Sequence, residues 1–269
     1  MQDVLIALQT DLASSIALHY AGYLKKIIGC KMQAIHIPDL EAPGHSPGGG
    51  WVHKTWENAV LQESRQQISQ LVRGEAFQGA DVGRPKIVPG DRDPVILEEI
   101  LKIKYDLLIE GLLHSFEPNR FFKKLDSKLY RNLPCPVLMV KNLVDLDRGV
   151  QIVATPATIS SVTAWFCKLL NELPVEPDVL VCNFKTSSDE IVILENDPHV
   201  IADIEDRLLK HGKKPGSIRT AKGSASKLAA LVRNHALVVA PLQAGNNSMA
   251  HLLSRSPCPT LFCPKHKPR

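Results

Sequence analysis

The sequence lacks the cysteine and histidine spacings that form disulfide frameworks or zinc sites. Its six cysteines are scattered without a C-x-x-C pair, and its ten histidines form no H-x-E or H-E-x-x-H pattern. The G-x-S-x-G pattern occurs once, at 44–48, within the proline- and glycine-rich loop 38–50 and not between a buried strand and a helix. The missing spacings argue against a disulfide-stabilised secreted domain and a zinc hydrolase, and the loop position of this pattern argues against a serine hydrolase of the common type. We therefore expect no metal site, no catalytic residues and a location in the reducing cytoplasm.

The sequence also lacks a long hydrophobic run and a strong charge imbalance. Its apolar stretches fall far short of the roughly 20 residues that span a bilayer, and residues 1–3 lead straight into a strand without the features of a secretion signal. A net charge of +4 is too small to indicate a nucleic-acid-binding surface. We expect neither a membrane nor a nucleic acid as partner, and we expect the basic tail 265–269 to be frayed.

What the sequence does contain is an internal repeat. Each half ends in a Pro-Cys-Pro turn before an apolar run, with Cys135 at the centre of the first turn and Cys258 at the centre of the second. Gly90-Asp91 opens a helix-like run in the first half, and Gly223-Ser224 does so in the second. A repeat of this length is a whole domain rather than a solenoid unit. Residues 142–149 are polar enough to link the two copies.

Short apolar runs alternate with helical periodicity in both halves, which indicates a parallel sheet with helices on both faces. Asp11 is expected to cap the first helix, which should end at Gly29, and Asp93 is expected to cap the helix 94–102. Further helices are predicted at 51–73, 120–131 and 200–210, and another one through Trp165 and Leu170. The predicted strands are 4–8, 32–37, 86–88, 107–109 and 137–140 in the first half, and 151–154, 179–182, 190–194, 216–220, 237–239 and 260–262 in the second.

These residues resemble a known family. Gly90-Asp91 before a helix, a buried strand ending at Gly111, and Pro-Cys-Pro-Val-Leu-Met-Val-Lys at 134–141 resemble the universal stress proteins, and the duplication resembles their tandem type. The resemblance implies an α/β fold of two tandem flavodoxin-like (adenine nucleotide alpha hydrolase-like) domains, 1–142 and 149–269. Each is expected to have its own mostly parallel five-stranded sheet, and the two should pack as a pseudo-dimer.

The resemblance also implies where a ligand would bind. The nucleotide-binding branch of the family has an Asp after the first strand and a glycine-rich phosphate loop after the fourth strand. The chain has Gln9 and Thr155 at the two Asp positions, and no second glycine follows Gly111 at the required spacing. The candidate ligand site of the first domain comprises Gly90, Asp91, Gly111 and Ser127. The loop after the fourth strand is shorter in the second copy. We therefore expect any retained ligand site to lie in the first copy.

These observations favour a non-enzymatic cytoplasmic stress-response protein that acts through protein partners, self-association or a small bound ligand. No cofactor is expected. One alternative is an ATP-binding, slowly hydrolysing switch with a divergent phosphate loop. A second alternative is a carrier of an apolar small molecule, over which the loop 38–50 would close.

Overall fold

The computed structural model describes residues 1–40, 51–76, 81–113, 118–144, 146–185, 190–195 and 197–266. The chain forms two compact units, residues 1–111 and 112–269. The predicted loop 38–50 lies outside the described residues from position 41 onward, so its role as a lid stays a prediction. None of the described helices is long and apolar enough to cross a membrane.

The first unit is a parallel sheet with helices between its strands. Its strand order is β3-β2-β1-β4, and every pair in it is parallel. The elements, in chain order, are β1 Asp3–Leu8, α1 Leu12–Ile28, β2 Lys31–His36, α2 Trp51–Ala76, β3 Lys86–Ile87, α3 Arg92–Ile103 and β4 Leu107–Gly111. All four predicted strands of this unit are confirmed.

Helix α1 shows how local sequence sets its ends. The side chain of Asp11 accepts a hydrogen bond from the Ser14 amide at 2.9 Å, as expected of an N-cap. Gly29 ends the helix in the left-handed region, with φ of 59°. Between these ends Ala17, Leu18 and Tyr20 are fully buried, and the helix packs against β4 and α2. Both predicted ends of α1 are confirmed.

Helix α3 begins earlier than predicted. Its N-cap position is Asp91, so that Arg92 and Asp93 lie in the first turn and Pro94 follows them. The prediction that Asp93 is the cap is therefore wrong. A carboxylate in the first turn is favourable because of the positive end of the helix dipole, and Asp93 is stabilised there without capping.

The second unit is a longer mixed sheet. Its strand order is β5-β11-β10-β6-β7-β9-β8, parallel except for the pairs β5–β11 and β8–β9. Its strands are β5 Val137–Val140, β6 Val150–Ala154, β7 Asp178–Phe184, β8 Val192–Leu194, β9 Ile218–Gly223, β10 Leu237–Pro241 and β11 Thr260–Cys263. The alternation of strands and helices in both halves confirms the tandem flavodoxin-like fold. β8 confirms the short strand predicted at 190–194, and it extends the second half beyond a five-stranded sheet.

The helices of the second unit are α4 Pro118–Leu125, α5 Lys128–Asn132, α6 Ile159–Leu170, α7 Pro198–Leu209, α8 Ala225–Leu228 and α9 Ser248–Ser254, with short 3-10 turns at Leu146–Arg148 and Ala229–Val232. The single helix predicted over 120–131 is wrong, because the chain breaks it at Asp126 and Ser127. Ser127 starts α5 by accepting a hydrogen bond from the Tyr130 amide. The Asp126 side chain accepts a hydrogen bond from the loop between β10 and α9.

The last strands of the two predicted repeats pair directly. β5 runs antiparallel to β11, with Leu138 opposite Leu261 and Val137 opposite Phe262. This joining corrects the expectation that each repeat keeps a sheet of its own. It also explains why the compact units divide at residue 111 rather than near the predicted linker. Equivalent strands that pair antiparallel have the geometry of a two-fold contact, and this contact lies inside the second unit. The expected packing of two separate domains as a pseudo-dimer stays a prediction.

A buried lysine lies beside this β5–β11 seam. Lys141 is 3% exposed, and its ammonium donates to the carbonyl oxygens of Leu253 at 2.7 Å and Ser256 at 3.2 Å. The nitrogen also lies 4.7 Å from the centre of the Phe121 ring. Burial lowers the pKa of Lys141 to about 7, and the nearby Cys258 opposes this shift. The charge is therefore retained at a cost in stability.

The C-terminal segment is held to the second unit as far as it is described. The Trp165 indole donates to the His266 carbonyl at 2.8 Å, and the His266 ring lies 2.9 Å from the Pro134 carbonyl oxygen. The expectation that the tail is frayed is therefore wrong at His266. Residues 267–269 lie outside the described range.

The Lys141 burial predicts a pH-dependent stability difference. The folded pKa of about 7 lies below the unfolded value of about 10.4. The unfolded state thus binds more protons above pH 7, and the cost of burying Lys141 is greatest below pH 7 and declines as the pH rises. Relative to Lys141→Met, the wild type should gain about 1 to 2 kcal/mol between pH 6.5 and pH 8.5.

Urea unfolding of both proteins at three pH values measures this difference. Lys168→Met removes an exposed lysine from α6 and controls for the lost charge. A difference between wild type and Lys141→Met that is constant with pH would contradict the assignment.

Candidate functional site

The carboxyl ends of β1 and β4 form the predicted ligand edge of the first unit. In the order β3-β2-β1-β4 the chain moves outward from β1 on one side and returns to β4 on the other, so the switch point lies between β1 and β4. Ligands of open α/β sheets bind at such points. We call the residues that follow β1, precede α3 and end β4 the carboxyl edge.

Gly111 lies at this edge and closes on the start of α1. A Cβ atom at this position would overlap the backbone carbonyl of Ala13. Only glycine permits so close an approach of two backbones. The requirement for glycine at 111 thus follows from packing inside the first unit, whether or not a ligand is present.

Gly90 and Asp91 lie together at the start of α3. Gly90 adopts a φ of 131°, in a region that L-residues with side chains rarely enter. Asp91 is exposed, and its side chain makes no capping hydrogen bond. These two predicted site residues therefore form the turn into α3.

Glu110 was missed by the sequence reasoning. It is 1% exposed at the end of β4, and its carboxylate accepts a hydrogen bond from the Arg92 guanidinium at 2.5 Å. This pair places the first turn of α3 next to the end of β4. A carboxylate directly before Gly111, in an otherwise apolar strand, was the signal in the sequence that could have found it.

His36 is a second buried polar group at the same edge. It ends β2, is 6% exposed and lies with Nδ1 2.9 Å from the Leu8 carbonyl oxygen. Burial lowers the pKa of His36, and the Leu8 carbonyl partly opposes that shift. A neutral imidazole that donates from Nδ1 joins the ends of β1 and β2.

Ser127, the fourth predicted site residue, lies in the second unit as the N-cap of α5. Its hydroxyl accepts from the Tyr130 amide at 3.4 Å. The hydroxyl oxygen therefore has a structural use, and its predicted part in ligand binding stays a prediction.

The β10–α9 loop of the second unit occupies the place of a phosphate loop in the second repeat. Gly245 has a φ of 90°, and its amide donates to Asp126 Oδ1 at 2.7 Å. Asn247 caps α9 by accepting from the Ala250 amide and donates to the Ala244 and Gly245 carbonyls. Arg131 contacts the same Asp126 oxygen at 3.1 Å. The Asp126 carboxylate thus accepts the hydrogen bond of the Gly245 amide, a backbone donor of the kind that binds anions.

The model of the universal stress protein family matches residues 1–141. The chain belongs to the universal stress protein family. Membership supports a role in the stress response.

Solved structures agree with this fold over the whole chain. A universal stress protein from Archaeoglobus fulgidus DSM 4304 is similar with a TM-score of 0.70 and 13% identity, covering 98% of this chain and 96% of that one. A functionally unknown protein from Pseudomonas aeruginosa PAO1 is similar with a TM-score of 0.59 and 14% identity, covering 98% and 93%. No curated protein sequence matches significantly.

This universal stress protein departs from the nucleotide-binding pattern at the ends of its first strands. Gln9 is exposed after β1, and its amide donates to the Ser14 hydroxyl at 2.7 Å. Thr155 follows β6, and its amide donates to the Thr158 hydroxyl at 3.0 Å. Both positions serve to start the following helix. Residues 114–117, the first part of the loop after β4, lie outside the described residues.

The contact of Gly111 with Ala13 predicts a strong effect of adding one methyl group. Gly111→Ala should destabilise the protein by about 2 to 3 kcal/mol, because a backbone carbonyl cannot rotate away as a side chain can. Gly83→Ala is the matched control, since nothing lies within 4 Å of its added Cβ. Gly83→Ala should leave stability unchanged or raise it by up to about 1 kcal/mol. Chemical unfolding measures both, and equal effects would disprove the steric explanation.

The hydrogen bond between Gly245 and Asp126 predicts that this carboxylate stabilises the second unit. Asp126→Ala should cost about 1 to 2 kcal/mol, because it removes a charge-assisted bond to the loop amide and the contact with Arg131. Asp147→Ala, at an exposed position, is the control. Unfolding midpoints that are the same for both variants would show that the Asp126 contact contributes nothing.

Proposed function

We propose that this universal stress protein acts in the stress response without catalysis, by binding protein partners or a small ligand, and that it does not use ATP. The observation that carries the proposal is the buried pair of Glu110 and Arg92 at the carboxyl edge. A nucleotide would bring its phosphates to the end of β4 in this family. At the end of β4 this chain has the carboxylate of Glu110.

Electrostatics explain why this pair disfavours a phosphate. Glu110 is almost completely buried, whereas the side chain of Arg92 is 26% exposed. A carboxylate in a low-dielectric place repels a second negative charge more strongly than one in water does. Displacing Arg92 towards a phosphate would leave Glu110 buried without this counter-charge, at a cost of several kcal/mol.

The second repeat supports the same proposal independently. Its loop glycine, Gly245, donates to Asp126, so a phosphate would have to displace a carboxylate that Arg131 also contacts. Gln9 and Thr155 replace the acidic groups that would address the adenosine end in the nucleotide-binding branch. Among the residues that the structure describes, these substitutions and internal contacts support the proposal that neither repeat binds ATP in the familiar way.

Cytoplasmic location remains part of the proposal. All six cysteines are free and buried. Free thiols are typical of proteins in reducing compartments. A cavity of about 340 Å³ between α6 and α7 is bordered by the charged groups of Asp203, Arg207 and Lys210, which does not favour the alternative of a carrier for an apolar molecule.

The proposal predicts that ATP does not bind. Purified wild-type protein should show no saturable binding of labelled ATP up to about 1 mM, and no phosphate release above background. Equilibrium dialysis and a phosphate-release assay, each with Mg²⁺ present, measure the two quantities. Micromolar binding by the wild type would overturn the proposal and restore the ATP switch.

Two variants test whether the charge of Glu110 is what excludes ATP. Glu110→Gln keeps the shape of the side chain but removes the charge opposite Arg92, so weak affinity for ATP should appear. Glu98→Gln neutralises an exposed glutamate of α3 and should leave ATP unbound. If Glu110→Gln also fails to bind, the buried carboxylate is not what excludes the nucleotide.

A further inference from the structure

Strand β8 forms the outer edge of the sheet in the second unit. The order β5-β11-β10-β6-β7-β9-β8 ends at this strand, which pairs with β9 in the antiparallel direction. Among the residues that the structure describes, no strand pairs with its other side. The outward backbone N–H and C=O groups of such an edge can bond a strand from another chain. The sheet of the second unit can therefore be extended at β8.

The side chains of β8 are unusual for an exposed edge. Val192 is 45% exposed and Ile193 is 55% exposed, and the preceding Ile191 is 36% exposed. Successive residues of a strand point to opposite faces, so both faces of this edge carry apolar surface. Exposed edges are normally protected by lysine or proline, and the three residues of β8 include neither. Its β-branched residues instead favour packing against a further strand.

Carboxylates flank this apolar edge at both ends. Glu190 precedes it and Glu195 follows it, and both residues are exposed. Lys222, the cross-strand neighbour of Val192, lies on β9, one strand further into the sheet. The flanking charges of the outermost strand itself are therefore both negative.

These charges select among occupants of the edge. In the antiparallel register that aligns the apolar residues of two copies fully, Glu190 of one copy lies opposite Glu195 of the other. Like charges directly opposite each other destabilise a strand pair. The register shifted by one residue places Glu195 opposite Ile191, so that a charge faces an apolar side chain. A segment with an apolar centre and a cation at each end places opposite charges together in either strand direction.

We propose that β8 binds an extended segment of a protein partner, with β-branched residues at its centre and lysine or arginine on both sides. The segment adds a strand outside β8. Main-chain hydrogen bonds supply affinity, and the contacts with Val192, Ile193 and the two glutamates supply selectivity. The inference rests on the proposed function in that it names the kind of protein partner, and it uses no residue of the carboxyl edge.

The fluorescently labelled peptide Lys-Lys-Val-Ile-Val-Thr-Lys-Lys-amide is the probe, used with the full-length protein. Fluorescence anisotropy should give a Kd of about 10 to 100 µM. The same peptide with glutamate at every lysine position should bind at least about tenfold more weakly. Methylation of the backbone nitrogens of alternate residues should abolish binding in one of the two possible patterns, because only one edge of the added strand faces β8.

Variants assign the binding to β8. Ile193→Lys replaces an exposed apolar residue by a cation and should weaken the lysine-flanked peptide at least about tenfold. Leu101→Lys, a matched change at a 57% exposed position of the first unit, should bind as the wild type does. The double variant Glu190→Lys, Glu195→Lys should bind the glutamate-flanked peptide in preference to the lysine-flanked one. Such a reversal cannot arise from loss of folding.

Absence of saturable binding of the lysine-flanked peptide would overturn the inference, as would equal binding of the two peptides or wild-type affinity in Ile193→Lys. A dimer in sedimentation velocity that Ile193→Lys abolishes would show that a second copy occupies the edge, and it would also overturn the inference. The result is separable from the ATP experiment. ATP binding would end the proposed function whether or not the peptide binds, whereas failure of the peptide alone would overturn this inference and leave the proposed function in place.

Discussion

The antiparallel pairing of β5 with β11 is the constraint on which the second unit depends. It places the last strand of one repeat against the last strand of the other, with Leu138 opposite Leu261 in the middle. Phe121 packs against Phe262 of β11, with ring centres 6.0 Å apart. Lys141 can be buried only because this pairing brings the carbonyls of Leu253 and Ser256 to it. Backbone pairing, aromatic packing and a costly buried charge therefore converge on one seam.

Carboxylates of the chain itself are the second recurring element. Glu110 binds Arg92 in the first unit, and Asp126 binds the Gly245 amide in the second. The first carboxylate lies at the end of a strand, and the second bonds a group in the loop that follows one. Such contacts stabilise loops that would otherwise carry unsatisfied donors.

The sequence predicted the parts of the fold that depend on local patterns. Apolar runs indicated most of the strands, although β9, Ile218–Gly223, also contains charged residues. Asp11 and Gly29 indicated both ends of α1, because capping is decided within a few residues. The break between α4 and α5 was missed, since no glycine or proline marks it and Asp126 bonds to a loop 119 residues away. The correct helix start at Asp91 was missed because Asp91 and Asp93 lie two residues apart, and Pro94 favoured Asp93 as the cap.

The candidate sites were less accessible from the sequence than the strands. Glu110 and Arg92 are 18 residues apart in the chain, and nothing local indicates that they meet. Asp126 and Gly245 are likewise 119 residues apart, and their contact depends on how α4 and the β10–α9 loop pack. Contacts of this kind are set by tertiary structure, which single-sequence patterns do not encode.

The burial of the cysteines bears on what kind of stress the protein can itself register. Burial raises the pKa of Cys182 to about 12 and also raises those of Cys30 and Cys263, so these thiols stay protonated in the fold. Oxidants attack the exposed thiolate, not the buried thiol. Peroxide therefore meets no ready nucleophile at these positions while the protein is folded. Oxidation at these three positions therefore requires the fold to open first.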